Sequence, residues 1–165
     1  MNYTIPFIRN SYIRFAAAHK DELINAFWDR VSKGELILRD EVKNFEDTLA
    51  KYTNTKYGIG VNSCTDALTL SVKALGIGPG DEVITVAHTF IASIYCIKAN
   101  GATPVLVDVG KNELINPEQI VNAITEKTKA ILPVHFHGKV CDMDRIMLIA
   151  AKNKLAVIED AAQAL

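Results

Sequence analysis

The sequence is poor in the features that would announce several functional classes at once. Of 165 residues, 18 are Lys or Arg and 19 are Asp or Glu, giving a formal net charge of -1. The basic residues are scattered among acidic neighbours, so no cationic face or tail of the kind that binds nucleic acid is visible. No apolar run approaches the length of a membrane span. The opening stretch MNYTIPFIRNSYIRF lacks the basic, apolar and small-residue order of a secretory signal. The three cysteines, Cys64, Cys96 and Cys141, form no CxxC pair. An odd count without a secretion signal predicts reduced thiols and a cytoplasmic chain rather than a disulfide framework. What remains is ordinary for a globular protein: 49% hydrophobic and 22% charged residues, enough for one domain with a real core.

Hydrophobic periodicity divides the chain into two textures. HKDELINAFWDRVSK (19–33) places Leu23, Ala26, Phe27 and Val31 at helical spacing, and DEVKNFEDTLAKYTN does the same with Val42, Phe45, Leu49 and Tyr52, with Asp40 as a plausible cap. GELILR between them suits a short extended piece or an ordered loop. This predicts a helical segment over 1–55 that packs on a larger domain. From Lys56 onward strands and helices alternate. KYGIGV, EVITVA, TPVLVDV, KAILPVHF and LAVIED read as strands. SCTDALTLSVKALGIG, TFIASIYCIKANG, NPEQIVNAITEKT and MDRIMLIAAKNK read as helices. Near-continuous apolar strands are buried on both faces, which implies an α/β, three-layer fold with a mostly parallel central sheet over 56–165.

In such a sheet ligands bind at the carboxyl ends of the strands. KYGIGV leads into Asn62-Ser63-Cys64-Thr65-Asp66 at a helix start, where unpaired amides and hydroxyls make a phosphate cup. Ordinary capping by Ser63 or Thr65 is the competing reading. EVITVA ends in His88-Thr89-Phe90, where the imidazole suits stacking over a planar ring, or simply sits near a Thr89-capped helix. TPVLVDV carries Asp108. KAILPVHF ends in His135-Phe136-His137-Gly138, a loose metal pair if joined by Cys141 or Asp142. LAVIED delivers Glu159 and Asp160 on opposite faces, so one faces a site and the other a structural partner. A buried carboxylate needs a positive partner, and a protonated pyridine nitrogen is one. Gln163 lies close enough in sequence to reach a neighbouring ring oxygen. A phosphate cradle, a flat side chain and an acid are three of the four fittings that pyridoxal 5'-phosphate requires; the fourth is a lysine.

The segments NSCTDALTLSVKALGIGPGDEVITVAHTFIAS, NGATPVLVDV, TKAILPVHFHGKVCDMD and VIEDAAQA resemble the amino-terminal half of the DegT/DnrJ/EryC1/StrS sugar aminotransferases, of the fold-type I pyridoxal-phosphate class. The likeness runs from about Ile5 to the last residue. It implies that Cys64 and Thr65, next to Ser63, hold the cofactor phosphate, that His88 stacks on the ring, that Asp160 pairs with the pyridine nitrogen, and that Gln163 meets the ring hydroxyl. Asp160 and His88 are then the catalytic pair. Gly34 to Arg39 resembles a substrate-side loop. The resemblance further implies transfer of an amino group, commonly from glutamate, to a nucleotide-linked keto-deoxysugar, in a homodimer.

The family's imine-forming lysine follows the aspartate motif at a distance greater than the residues left here, and Lys139 has no such role in the family. The large domain is therefore expected to be incomplete at its carboxyl end, the small carboxy-terminal domain absent, and this chain alone inactive, with weak or absent cofactor binding. Three rivals remain at this point. The chain is a non-catalytic fragment acting as an interaction module, a sugar dehydratase of the same family, or a metal hydrolase built on His135, His137 and Asp108.

Overall fold

In a computed structural model the chain is described over residues 7–34, 37 and 39–164, with side chains from residue 12. Ile5, Leu165 and residues 35, 36 and 38 of the 34–39 loop therefore lie outside the described residues. Contacts divide the chain into two compact units, 1–60 and 61–165.

The first unit contains α1 (Phe7–Ala18), α2 (Lys20–Val31) and α3 (Asp40–Tyr52). The sequence reading anticipates α2 and α3 but not α1. Each of these two helices carries acids in its first turn and a base in its last, Asp21, Glu22 and Arg30 in α2 and Asp40, Glu41 and Lys51 in α3, which complements the helix dipole. Asp40 is the first residue of α3 rather than its cap.

The expected strand over KYGIGV does not form; Tyr57 to Val61 are irregular. A strand exists only by pairing, and no described strand lies beside this one. Instead the Gly60 amide donates to the Glu46 carboxylate at 2.6 Å.

The second unit is a four-stranded sheet in the order β2-β1-β3-β4, built from β1 (Glu82–Val86), β2 (Thr103–Val107), β3 (Thr128–Ile131) and β4 (Ala156–Val157). Every pairing within it is parallel. The helices are α4 (Cys64–Ala74), α5 (Ala92–Ala99), α6 (Pro117–Ala123) and α7 (Met143–Asn153). α4 packs on α5, and α6 packs on α7, so the sheet is covered by two helix pairs, as the fold class requires.

The centre of the core is β1, whose Val83, Ile84, Thr85 and Val86 are all buried. Thr85 is tolerated there because its hydroxyl donates to the Leu132 carbonyl at 2.9 Å. Pro104 sits in the edge strand β2, where a missing N–H costs least. β3 and β4 are shorter than their apolar runs suggest, but the ladder continues beyond them. Ile158 donates to Ile131, Asp160 to Pro133, and His135 back to Asp160. That extension carries the acidic end of β4 to the rim of the sheet.

Local chemistry fixes the helix starts. Asn116 caps α6 through Glu118 N–H, ahead of Pro117. Asp142 caps α7 by accepting from the Arg145 amide at 3.2 Å. Asp142→Ala should lower the stability of the chain by about 1 kcal/mol, read as a fall in the urea midpoint with an unchanged slope. Gly101 closes the α5–β2 turn at φ 82°, and a Cβ there would meet the Pro79 ring at 2.9 Å, so this turn admits no side chain.

Candidate functional site

The chain beyond β4, paired to the extension of β3, brings Asp160 to the rim at the carboxyl end of the sheet. Asp160 is 5% exposed. The Ser93 hydroxyl donates to Oδ2 at 2.7 Å, and Oδ1 accepts from the Ala162 amide at 3.2 Å and from the Cys64 thiol in a long contact of 3.8 Å. The ion pairs among the described residues leave Asp160 out; Lys139, for instance, pairs with Glu113. A buried carboxylate with hydrogen bonds but no cation is a site for a cationic ligand.

Cys64 is the first residue of α4, so the start of that helix and the end of β4 share one rim. Ser63 is fully spent as the cap. It accepts from the Asp66 amide at 3.1 Å and donates to the Asp66 carboxylate at 3.0 Å. This also turns the Asp66 acid onto the cap hydroxyl. The amides of Cys64 and Thr65 and the Thr65 hydroxyl have no acceptor among the described residues. They are what an anion at a helix start needs.

His88 follows β1 and is exposed. Its ring meets Phe136 edge-on, with centroids 4.4 Å apart, and α5 begins only at Ala92, so neither His88 nor Thr89 caps that helix. Gln163 lies on the turn after Asp160. Its Oε1 accepts from the His137 amide at 2.7 Å. Because a backbone N–H must face the oxygen, the Gln163 amide is oriented with its NH2 free to donate.

Glu159 and Asp160 divide as adjacent strand residues should. Glu159 turns to His135, whose Nε2 lies 2.9 Å from the carboxylate. His135 Nδ1 accepts from the Cys141 amide at 3.2 Å, so the ring hydrogen sits on Nε2 and both nitrogens are engaged inside the protein. His137 has left the strand, at φ 56° and ψ 24°. Among the described residues no three His, Cys, Asp or Glu side chains gather as a metal would require. Asp108 stays at the end of β2, where its carbonyl accepts from the Asn116 amide. Among the described residues no helix is long and apolar enough to cross a membrane.

All three cysteines are free. Burial, then the negative charge of Asp160 and the hydrogen bond to it, push the Cys64 thiol up from its ordinary value. Burial pushes Cys96 up to about 11. The folded chain thus holds the Cys96 proton more tightly than the unfolded chain does. Its contribution to stability is complete below the ordinary thiol value of 9.0 and is lost as pH rises towards about 11. The urea midpoint should fall across that window, and less steeply in Cys96→Ala.

Ser93 is the residue of this rim that the sequence reading misses; it takes Thr89 only as a helix cap and Phe136 only as part of a strand end. None has a motif of its own. Thr89 precedes α5 and Ser93 lies in its first turn, and only the folded sheet shows what they touch.

A profile of the DegT/DnrJ/EryC1/StrS aminotransferase family matches residues 18–165. The chain is 48% identical over 161 residues to the dTDP-3-amino-3,6-dideoxy-alpha-D-galactopyranose transaminase of Aneurinibacillus thermoaerophilus, covering 97% of this chain and 44% of that protein. The crystal structure of DesV from S. venezuelae superposes with a TM-score of 0.89 at 41% identity, over 92% of this chain and 41% of DesV. NtdA of Bacillus subtilis, solved with bound PMP, superposes at 0.87 and 38% identity, over 90% of this chain and 34% of NtdA. The chain therefore spans less than half the length of each of these three proteins. The motifs, the parallel sheet and these likenesses agree: the chain belongs to the DegT/DnrJ/EryC1/StrS aminotransferase family.

Proposed function

We propose that these residues are the amino-terminal, cofactor-holding part of a pyridoxal-5'-phosphate-dependent aminotransferase that acts on a nucleotide-linked keto-deoxysugar. The observation that carries the reading is Asp160, a buried carboxylate that has no cation among the described residues, beside a helix start whose first amides have no acceptor among them. The residues present fit the cofactor. Asp160 would hold the proton on the ring nitrogen; a close opposing charge favours that form by roughly one to three pKa units. The amides of Cys64 and Thr65 and the Thr65 hydroxyl would hold the phosphate, with Ser63 fixing the helix start. His88 would lie over the ring, its tilt limited by Phe136. The free NH2 of Gln163 would donate to the ring hydroxyl. When bound, the cofactor supplies the electron sink and carries the amino group from donor to acceptor.

Lys139 lies on the surface, paired with Glu113 at 3.4 Å, and we assign the imine-forming lysine to the remainder of a longer polypeptide. The short coverage of the relatives supports this, and with it a chain that is inactive alone. Glutamate is the expected donor and a homodimer the expected assembly. The free thiols suit a reducing, cytoplasmic compartment.

The test uses a full-length protein carrying these residues. Loaded with cofactor and given glutamate alone, it should release stoichiometric 2-oxoglutarate. A dTDP-linked keto-deoxysugar should then gain nitrogen, as read by mass spectrometry. Loss of oxygen from the sugar without gain of nitrogen would favour a dehydratase, and failure with every amino donor would remove the aminotransferase reading.

A further inference from the structure

The end of α5 nearest the site contains a hydroxyl pair that the proposed chemistry does not yet use. Ser93 is completely buried. Its Oγ lies 2.7 Å from Asp160 Oδ2, 2.7 Å from Thr89 Oγ1 and 3.3 Å from the Phe90 carbonyl. Ser93 has one proton to give. The carboxylate is closer than the Phe90 carbonyl and, unlike the equidistant Thr89 hydroxyl, it is charged and cannot itself donate, so the proton goes there. Ser93 Oγ then accepts, and Thr89 is the donor that fills it. The direction of the chain is set: Thr89 to Ser93 to Asp160.

Thr89 and Ser93 are also residues that a helix start ordinarily spends on itself. Here α5 begins at Ala92 without a side-chain cap. The two hydroxyls are turned on the carboxylate instead. The rest of the Asp160 shell is weaker, a 3.2 Å amide and a 3.8 Å thiol on Oδ1. Without Ser93 only those two weaker contacts would hold the carboxylate about its last torsion, and its short, charge-assisted bond would be gone.

We propose that Ser93, backed by Thr89, is the positioning residue for Asp160, fixing the carboxylate so that a lone pair stays directed at a cationic ring nitrogen. This rests on the cofactor reading given above. Ser93 has no exposed surface to offer a ligand. It acts through Asp160, so its effect must depend on that carboxylate being present.

The experiment is a double-mutant cycle in a full-length protein carrying these residues, read as the affinity for pyridoxamine 5'-phosphate by fluorescence titration. Ser93→Ala should weaken binding roughly tenfold, the scale of one lost hydrogen bond to a charged group. Thr89→Val, which removes the backing hydroxyl with little change of shape, should produce a smaller loss in the same direction. In the Asp160→Asn background, Ser93→Ala should cost almost nothing further, whereas a general packing defect would cost the same in both backgrounds. With ring-labelled cofactor, Ser93→Ala should also let the ring nitrogen lose its proton at lower pH, and Ser93→Thr, which keeps the hydroxyl, should restore it. Full affinity in both Ser93→Ala and Thr89→Val would overturn the proposal, as would a Ser93→Ala loss undiminished in the Asp160→Asn background. An unchanged affinity in Asp160→Asn by itself would instead overturn the cofactor reading.

Discussion

Asp160→Asn is expected to do opposite things to the two states of the protein. In a full-length protein carrying these residues it should weaken binding of pyridoxamine 5'-phosphate by roughly a hundredfold or more, the cost of leaving a buried partner charge uncompensated. In the cofactor-free chain it should leave stability unchanged or slightly higher. The reason is in the environment of the carboxylate. Asp160 is buried beside Ser93, Cys64 and the Ala162 amide, with no cation among the described residues. That is an arrangement held at a cost until a cation arrives, the usual condition of a functional site. Asn keeps the size and much of the hydrogen bonding while removing the charge. A third readout is local. The charge of Asp160 helps hold the Cys64 thiol up, so in Asp160→Asn this thiol should titrate lower and be alkylated faster at a fixed pH. Peptide mapping identifies the modified residue, since Cys96 and Cys141 are buried. If Asp160→Asn destabilised the free chain by several kcal/mol and left cofactor affinity intact, the residue would be structural.

Ile84→Ala is expected to be the most damaging single core change. Ile84 is fully buried at the middle of β1, paired to Val105 on one side and Ile131 on the other. Neither neighbouring strand can close on the space left, because each is held to β1 by its own hydrogen bonds. A loss of about 3–4 kcal/mol follows from the transfer and cavity terms together, a large share of the stability of a domain this size. Urea unfolding gives the number directly. A loss under about 1 kcal/mol would mean that the strand order is wrong or that the core there is loosely packed.

The fold is largely legible because its strands are short apolar runs separated by helical stretches. EVITV and TPVLV show as such runs, and Pro117 marks the start of α6. The caps are less legible: Asp40, read as a cap, lies inside α3, and Asp142, weighed as a metal ligand, caps α7. KYGIGV stays irregular for the same physical reason that makes strands less local than helices: its pattern is right, but pairing is made elsewhere in the chain. α1 escapes the sequence reading because FIRNSYIRFAAA mixes polar and apolar residues without a clear stripe. The two compact units divide after Gly60, a few residues beyond the change of texture at Lys56.

The site is legible in part. Ser63, Cys64, Thr65, His88, Asp160 and Gln163 are read from strand ends and from the family likeness, and the sheet brings Cys64 against Asp160 across 96 residues of chain. Ser63 behaves as the competing capping reading has it, with both its bonds made to Asp66. Ser93 could not be found in the sequence. A serine inside a helix has many uses, and the one it has here depends on a carboxylate 67 residues away.

The most direct test of the central claim is the 15N resonance of the ring nitrogen of labelled pyridoxamine 5'-phosphate bound to a full-length protein carrying these residues. The ring nitrogen should stay protonated well above the pH at which the free cofactor loses that proton, and Asp160→Asn should abolish the difference. A bound ring nitrogen that titrates as it does in free solution, with Asp160 intact, would contradict the account.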